Sequence, residues 1–269
     1  MFPGARADRE EATAVVVGAP LDVSSTGRPG SRYGPARIRE AARSFEDYDH
    51  RTDSHLSECG VHDAGDIRAW DDTTDYLAFL AGELADVVRG GAVPLVLGGE
   101  HTVSVAGVRA VEPSVVVSLD AHLDLRADFD GNPLSHACAM YRALEVDAVE
   151  ELVVLGARAG SEAEWERAEE PDVTVVEPDA VADWTVPERL AGERVYCSVD
   201  IDCVDPAYAP GTGTPEPFGL EPTTVRDVVR SLAEHAAGFD VVEVTDRDDG
   251  QAATLAAKLL REFVFSRGL

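Results

Sequence analysis

The segment Asp120-Ala121-His122-Leu123-Asp124 carries three ionisable side chains two residues apart, directly after the apolar run Val115-Val116-Val117. If the extended geometry of a strand continues through this segment, Asp120, His122 and Asp124 point to one face of the chain. Ionisable groups at the end of a buried strand are costly unless something binds them. The pattern therefore predicts a divalent cation at this position.

Two further clusters follow apolar runs in the same way. Asp200 and Asp202 come after Val195-Tyr196-Cys197, and they share a face by the same alternation. His101 follows Gly98-Gly99-Glu100, whose glycines allow a tight turn close to a ligand. Each cluster alone is also compatible with helix capping, turn chemistry or surface carboxylates. Three such clusters, each at the end of a predicted strand, favour one common site.

The combined donor set is rich in oxygen and includes two imidazoles, which suits Mn²⁺ better than thiolate-seeking Zn²⁺. Six ligands are too many for one ion with an open position, and they suit two ions bridged by shared carboxylates. Two divalent ions balance four carboxylates, and a bridging hydroxide leaves one net negative charge. We therefore expect a small cationic substrate. The six predicted metal ligands are His101, Asp120, His122, Asp124, Asp200 and Asp202.

The elements that must position these residues alternate between strands and helices. Continuous apolar runs are typical of strands that are buried on both faces of a parallel sheet. Alternation of such strands with helices predicts an α/β fold, a three-layer αβα sandwich with a mostly parallel sheet of about eight strands. Ligands of such sheets bind beyond the carboxyl ends of the strands. The predicted strands are 13–18, 59–62, 93–97, 114–119, 152–156, 173–176, 194–199 and 239–244. The predicted helices are 35–45, 74–89, 103–111, 161–169, 223–237 and 251–265, with Pro35 in a first turn and Thr223 as an N-cap.

The composition excludes several classes of protein. Of 269 residues, 51 are Asp or Glu and 23 are Lys or Arg, a net charge of −28. Such an acid excess repels nucleic acid and anionic membranes, so neither is an expected partner. The acids are spread along the chain, which favours a salt-adapted surface over an interaction tail. The polar N-terminus and the lack of a long apolar stretch predict a cytoplasmic protein, and no linker divides residues 1–269, so we expect a single domain.

The sequence resembles the ureohydrolase family of arginases and agmatinases over nearly its whole length. The resemblance implies roles for two residues that are not metal ligands. His136, within Ser135-His136-Ala137, matches the family's mobile proton-transfer histidine, a general acid/base. Glu243 matches the carboxylate that pairs with the substrate guanidinium. The motifs that carry the resemblance are residues 18–22, 28–35, 65–66, 98–101, 120–124 and 200–216.

The resemblance also implies how the metal ions would be held. One Mn²⁺ would bind His101, Asp120, Asp124 and Asp200, and the other would bind His122, Asp120, Asp200 and Asp202. Asp120 and Asp200 would then bridge the two ions. The bridging hydroxide would attack the guanidinium carbon, releasing urea and an amine. By analogy with the family we expect a homo-oligomer, a trimer or a hexamer.

Four interpretations of the function remain open. Agmatinase, which gives putrescine and urea, is favoured because 120–126 and 135–137 look more like agmatinases than arginases. The second is a relative acting on arginine, aminopropylagmatine, guanidinobutyrate or formiminoglutamate. A zinc amide deacetylase on the related fold and a non-catalytic relative both fit a complete six-ligand set poorly.

Departures from the family pattern at Ser118, Ala137-Cys138, Thr245-Asp246 and Pro217-Phe218-Gly219 bear on substrate identity. Cys138 and Cys203 are interpreted as packing thiols, and Arg158 is expected to support the site.

Overall fold

The computed structural model describes residues 1–68, 70, 72–190 and 192–268. Within them we label ten strands and eight helices. The strands are β1 Ala14–Ala19, β2 Tyr48–Asp49, β3 Ser54–His55, β4 Val61–Asp66, β5 Val93–Gly98, β6 Val115–Leu119, β7 Glu151–Leu155, β8 Val173–Val176, β9 Val195–Asp200 and β10 Ala236–Val242. The helices are α1 Gly34–Ala42, α2 Thr73–Arg89, α3 Val103–Val111, α4 Ala139–Leu144, α5 Glu162–Ala168, α6 Pro178–Val181, α7 Pro222–Leu232 and α8 Gln251–Arg267.

Eight of the strands form one parallel sheet in the order β4-β1-β5-β10-β9-β6-β7-β8. Strands β2 and β3 form a separate antiparallel pair. The four central strands β5, β10, β9 and β6 are neighbours although they are far apart in sequence. Because all four are parallel, their carboxyl ends meet at one edge of the sheet. This topology brings the three predicted clusters and Glu243 to the same place.

Helices cover both faces of the sheet. Along β1 the side chain of Val16 packs in the core that includes α1, α7 and α8, whereas Val15 and Val17 pack in the core that includes α2 and α3. This alternation with a period of two is what a strand buried on both faces requires. The predicted three-layer α/β sandwich is therefore confirmed. Within the described part of the chain, no helix combines the length and the apolarity that crossing a membrane requires.

The main difference from the predicted elements lies between α7 and β10. The helix predicted over 223–237 ends at Leu232, and β10 already begins at Ala236. Apolar residues there fit a helical period equally well, so periodicity alone did not separate the two elements. The N-cap of α7 is Glu221 rather than Thr223, because Pro222 occupies the first turn. The short helices α4 and α6 and the β2–β3 pair were not predicted.

Candidate active site

The first predicted cluster begins where β6 ends at Leu119. Asp120, His122 and Asp124 do not continue that strand, so the expectation of one extended segment was wrong. Asp124 adopts a left-handed backbone conformation with φ of 50°, which Asp tolerates better than most residues. The turn nevertheless brings both carboxylates toward His101: its Nδ1 lies 2.9 Å from Asp124 Oδ2 and 3.1 Å from Asp120 Oδ2.

The second cluster lies at the end of β9. Asp200 is the last residue of that strand, and Asp202 lies in the following 3₁₀ turn. Asp202 Oδ2 is 3.0 Å from Nδ1 of His122, and Asp200 Oδ2 is 3.6 Å from Nδ1 of His101. Asp120 stands between the two imidazoles, since its Oδ1 is 3.7 Å from His122 Nδ1. The structure thus brings all six predicted ligands together.

The donor atoms form two overlapping sets that share Asp120. One set is His101, Asp120 and Asp124, and the other is Asp120, His122 and Asp202; within each set the atoms lie within 4.8 Å of one another. Oδ2 of Asp120 is buried, and although His101 Nδ1 lies 3.1 Å away, the two atoms are not aligned for a hydrogen bond, so the carboxylate oxygen is incompletely satisfied. Oxygen-rich donors with some imidazole fit a hard or borderline ion such as Mn²⁺.

The buried carboxylates also repel one another. Burial and the charges of neighbouring carboxylates raise the pKa of Asp200 well above its ordinary value. Burial and the charge of Asp120 raise the pKa of Asp124 to about 6. For Asp120, burial acts in the same direction, but the close imidazoles of His101 and His122 outweigh it and lower the pKa. Bound divalent cations would relieve this repulsion.

A buried polar network that the sequence did not reveal contacts the Nε2 side of His101, opposite the Nδ1 that faces the carboxylates. Its Nε2 lies 3.1 Å from the hydroxyl oxygen of Ser198. Ser198 donates to Oδ1 of Asp240 at 2.7 Å, and the Tyr196 hydroxyl donates to Oδ2 at 2.8 Å. Such contacts fix the orientation of a ligating imidazole and raise its basicity. The available signal was a polar residue, Asp240, inside an otherwise apolar strand.

His136 and Glu243 lie beside the six predicted metal ligands (the metal-ligand cluster). Nδ1 of His136 is 3.4 Å from Oε1 of Glu243, and the same oxygen accepts the backbone N–H of His101 at 2.9 Å. Burial opposes the charged form of His136, but Glu243 and other nearby carboxylates outweigh it and raise the pKa to about 9. Glu243 has a left-handed backbone with φ of 59°. A non-glycine residue held there is uncommon, and such residues concentrate at functional sites.

A cavity of about 320 Å³ opens onto this cluster. His136 and Ala137 line its wall, and Arg126 and Phe129 lie further along it. Of the other departures from the family pattern, Phe218 is 87% exposed and lines a neighbouring cavity with Arg158. The guanidinium of Arg158 donates to backbone carbonyls on both sides of the 203–216 loop and so supports the segment that follows Asp202.

Cys138 and Cys203 are free, buried thiols. Burial, followed by the charge of Asp124, raises the pKa of Cys138 to about 11, and burial and nearby carboxylates raise that of Cys203 well above its ordinary value. A thiol that stays protonated is a poor nucleophile. The structure therefore agrees with a packing role for both cysteines.

Comparison with known proteins agrees with this architecture. The model of the Arginase family matches residues 12–266. An agmatinase of Bacillus subtilis is 34% identical over 276 residues, covering 98% of this chain and 95% of that protein. The N(1)-aminopropylagmatine ureohydrolase of Thermococcus kodakarensis is 36% identical over 262 residues, covering 93% and 89%. The crystal structure of the agmatine ureohydrolase of Thermoplasma volcanium superimposes with a TM-score of 0.90 at 37% identity, covering 99% and 93%. The chain belongs to the arginase family.

Proposed function

We propose that this chain is a ureohydrolase that converts agmatine and water to putrescine and urea at a pair of Mn²⁺ ions. The observation that carries the proposal is the convergence of four aspartates and two histidines at one edge of the sheet, with Asp120 between the two imidazoles. Similarity to agmatinases over nearly the whole chain supports agmatine as the substrate.

The proposed ligands divide into two groups that share two residues. His101 and Asp124 would hold one ion, His122 and Asp202 the other, and Asp120 and Asp200 would contact both. When bound, the ions would lower the pKa of a water molecule and so supply the nucleophile at neutral pH. Because Ser198 contacts the Nε2 of His101, it would keep the Nδ1 of that ring pointed at the metal ions.

Glu243 and His136 would handle the substrate. The carboxylate of Glu243 would pair with the guanidinium and orient its carbon, because charge-assisted pairs of this kind are strong and directional. His136 would deliver a proton to the leaving nitrogen. The atom balance of the hydrolysis requires this proton transfer. Both protons of the attacking water end on the amine, which leaves as an ammonium ion, and the water oxygen becomes the oxygen of urea.

Urea release in the presence of Mn²⁺ tests the proposal when agmatine, arginine and 4-guanidinobutyrate are compared at equal concentration. We expect agmatine to be turned over fastest. Turnover of arginine without turnover of agmatine would refute the substrate assignment. Absence of urea from every guanidino compound, with Mn²⁺ shown to be bound, would refute the activity itself.

Arg126 makes a guanidino acid the second candidate substrate. Its Nε lies 3.1 Å from Glu164 Oε2, and its guanidinium lies 5.2 Å from the centre of the Phe129 ring, along the wall of the cavity. Because the contact with Glu164 uses Nε, the two Nη groups of Arg126 are left as donors for a distal carboxylate. A mitochondrial guanidino acid hydrolase of Homo sapiens is 32% identical over 272 residues.

Replacing Arg126 by Gln separates the two candidates. We expect the ratio of kcat/KM for agmatine over 4-guanidinobutyrate to rise severalfold, because the variant loses a cation that repels the agmatine ammonium and attracts a carboxylate. Initial rates of urea release for both substrates give the ratio. An unchanged ratio would show that Arg126 does not meet the distal end of the substrate.

We further propose that residues 1–269 act as one domain, that the protein works in a cytoplasm of high salt, and that it forms a homo-oligomer, a trimer or a hexamer. The acidic composition supports the salt adaptation. The four free cysteines suit a reducing compartment. Family analogy supports the oligomer. Light scattering at several KCl concentrations measures the assembly.

A further inference from the structure

The loop between β1 and α1, residues 22–30, is anchored to a buried carboxylate. The backbone N–H groups of Val23 and Ser24 both donate to Oε2 of Glu100 at 2.7 Å, and the Ser24 hydroxyl donates to Oε1 at 2.8 Å. Glu100 is fully buried. A buried carboxylate with this many donors holds its partners firmly, because each of them would otherwise be left unpaired.

The loop is also fixed at its base and at its tip. At the base, Asp22 Oδ2 accepts the backbone N–H of Gly30 at 2.8 Å. At the tip, the backbone N–H of Arg28 donates to the carbonyl of Gly213 at 2.9 Å. A Cβ atom on Gly27 would lie 2.3 Å from the same carbonyl, so only glycine fits. The position of Thr26, between these anchors, is therefore well defined.

This loop holds His136 at two points. The backbone N–H of His136 donates to the Ser24 hydroxyl oxygen at 2.8 Å. At the ring, the backbone N–H of Thr26 donates to Nε2 at 3.2 Å, and the Thr26 hydroxyl oxygen lies 2.9 Å from the same nitrogen. The other ring nitrogen, Nδ1, faces Glu243 Oε1 at 3.4 Å. Both Thr26 and His136 line the cavity that opens onto the metal-ligand cluster.

We propose that Thr26 is a positioning residue for the proton-transfer step of His136. A hydroxyl group can accept a hydrogen bond from Nε2–H and can donate one to a bare Nε2. The hydroxyl contact therefore persists whether or not Nε2 carries a proton, whereas the backbone N–H of Thr26 can donate only to a bare Nε2. Nδ1 faces a carboxylate and keeps its proton, so Nε2 is the nitrogen that exchanges. The inference rests on the proposed function, because it assigns His136 its role there.

The chemical step is balanced without any further reactant. When the C–N bond breaks, the leaving nitrogen takes the proton of His136 Nε2, and the Thr26 hydroxyl turns from acceptor to donor. One proton of the attacking water then restores Nε2, and the other is carried with the leaving amine. Thr26 contributes no proton of its own and is not consumed.

The test compares Thr26→Val, which keeps the shape but loses the hydroxyl, with Thr26→Ser, which keeps the hydroxyl. For the Mn²⁺-loaded protein we expect Thr26→Val to lower kcat about tenfold at constant KM, a part of the 10²- to 10⁴-fold that general acid–base catalysis supplies. Thr26→Ser should recover most of the loss. Thr223→Val on α7 is the matched control, because it removes the same hydroxyl at an exposed position away from the cavity.

Nitrogen NMR of the histidine rings gives a readout that does not depend on turnover. In metal-free protein, the Nε2 signal of His136, assigned by its loss in His136→Asn, should shift in Thr26→Val and return in Thr26→Ser. An unchanged Nε2 signal, or a kcat for Thr26→Val within about twofold of the unaltered protein, would overturn the inference. If the unaltered protein releases no urea from any guanidino compound, the proposed function fails, and the spectra alone decide whether Thr26 holds His136.

Discussion

Asp120 is the residue on which both halves of the proposed metal centre depend. One oxygen faces His101 and the other faces His122. Its buried Oδ2 lies 3.1 Å from His101 Nδ1 without the alignment of a hydrogen bond, which leaves that oxygen available to a cation. The sequence could identify it, because the spacing of 120, 122 and 124 is visible without coordinates. The left-handed turn at Asp124 could not be predicted, since it depends on what surrounds that residue.

The buried polar network of Ser198, Asp240 and Tyr196, which contacts His101, gives a prediction for a single residue. Asp240→Asn should weaken Mn²⁺ binding about 10- to 100-fold, because the amide orients Ser198 and His101 less firmly than the carboxylate does. Calorimetric titration of the metal-free variant with MnCl₂ measures the affinity. An unaltered affinity would mean that Asp240 serves only the packing of β10, and thermal unfolding without metal controls for a general loss of stability.

Among the secondary-structure elements, the four neighbouring strands β5, β10, β9 and β6 position the candidate active site, because its residues follow their carboxyl ends. The sequence predicted the strands and the polar residues after them, but it could not give their order. Neighbouring strands such as β5 and β10 are separated by more than a hundred residues, and local periodicity carries no information about such pairing. The loop 22–30 was missed as part of the site for the same reason: its contacts with Glu100 and His136 are long-range.

The ion pairs between α1 and β4 carry a prediction about stability. Arg39 Nη2 lies 2.8 Å from Asp63 Oδ1, with both side chains buried, and Arg39 also pairs with Asp66. Arg39→Met removes the guanidinium that faces the buried Asp63 carboxylate and leaves it the backbone N–H groups of Phe2 and Gly65 and the more distant N-terminal ammonium, so we expect a loss of about 3–5 kcal/mol in the free energy of unfolding. Urea denaturation monitored by circular dichroism gives the value. A loss below about 1 kcal/mol would contradict it.

The same pair predicts a dependence on pH. Burial alone would raise the pKa of Asp63, but the hydrogen bonds and charge of Arg39 outweigh it and hold the pKa below its ordinary value. The pair's contribution is therefore complete above the unfolded carboxyl pKa of about 3.9 and is lost as the pH falls through the lower folded value. The free energy of unfolding should therefore fall less steeply with decreasing pH in Arg39→Met than in the unaltered protein. Equal slopes in the two proteins would contradict this expectation.

At the scale of the whole molecule, the net charge of −28 is the dominant feature. Many of these carboxylates lie on the surface, where they repel one another in dilute buffer. Salt shortens the screening length from about 10 Å at 0.1 M to about 3 Å at 1 M. We therefore expect the Tm to rise as KCl increases from dilute to molar. Differential scanning fluorimetry across that range measures it, and a Tm that stays flat or falls would refute the salt adaptation.

Urea release from agmatine, measured as Mn²⁺ is added stepwise to the metal-free protein, shows whether catalysis needs two metal ions. We expect activity to rise until about two equivalents per chain are bound and to be lost when a chelator is added. Asp120→Asn should bind neither ion well and remain inactive, whereas the exposed Asp147→Asn should behave like the unaltered protein. Saturation of activity at one equivalent, or no urea with both ions bound, would contradict the account.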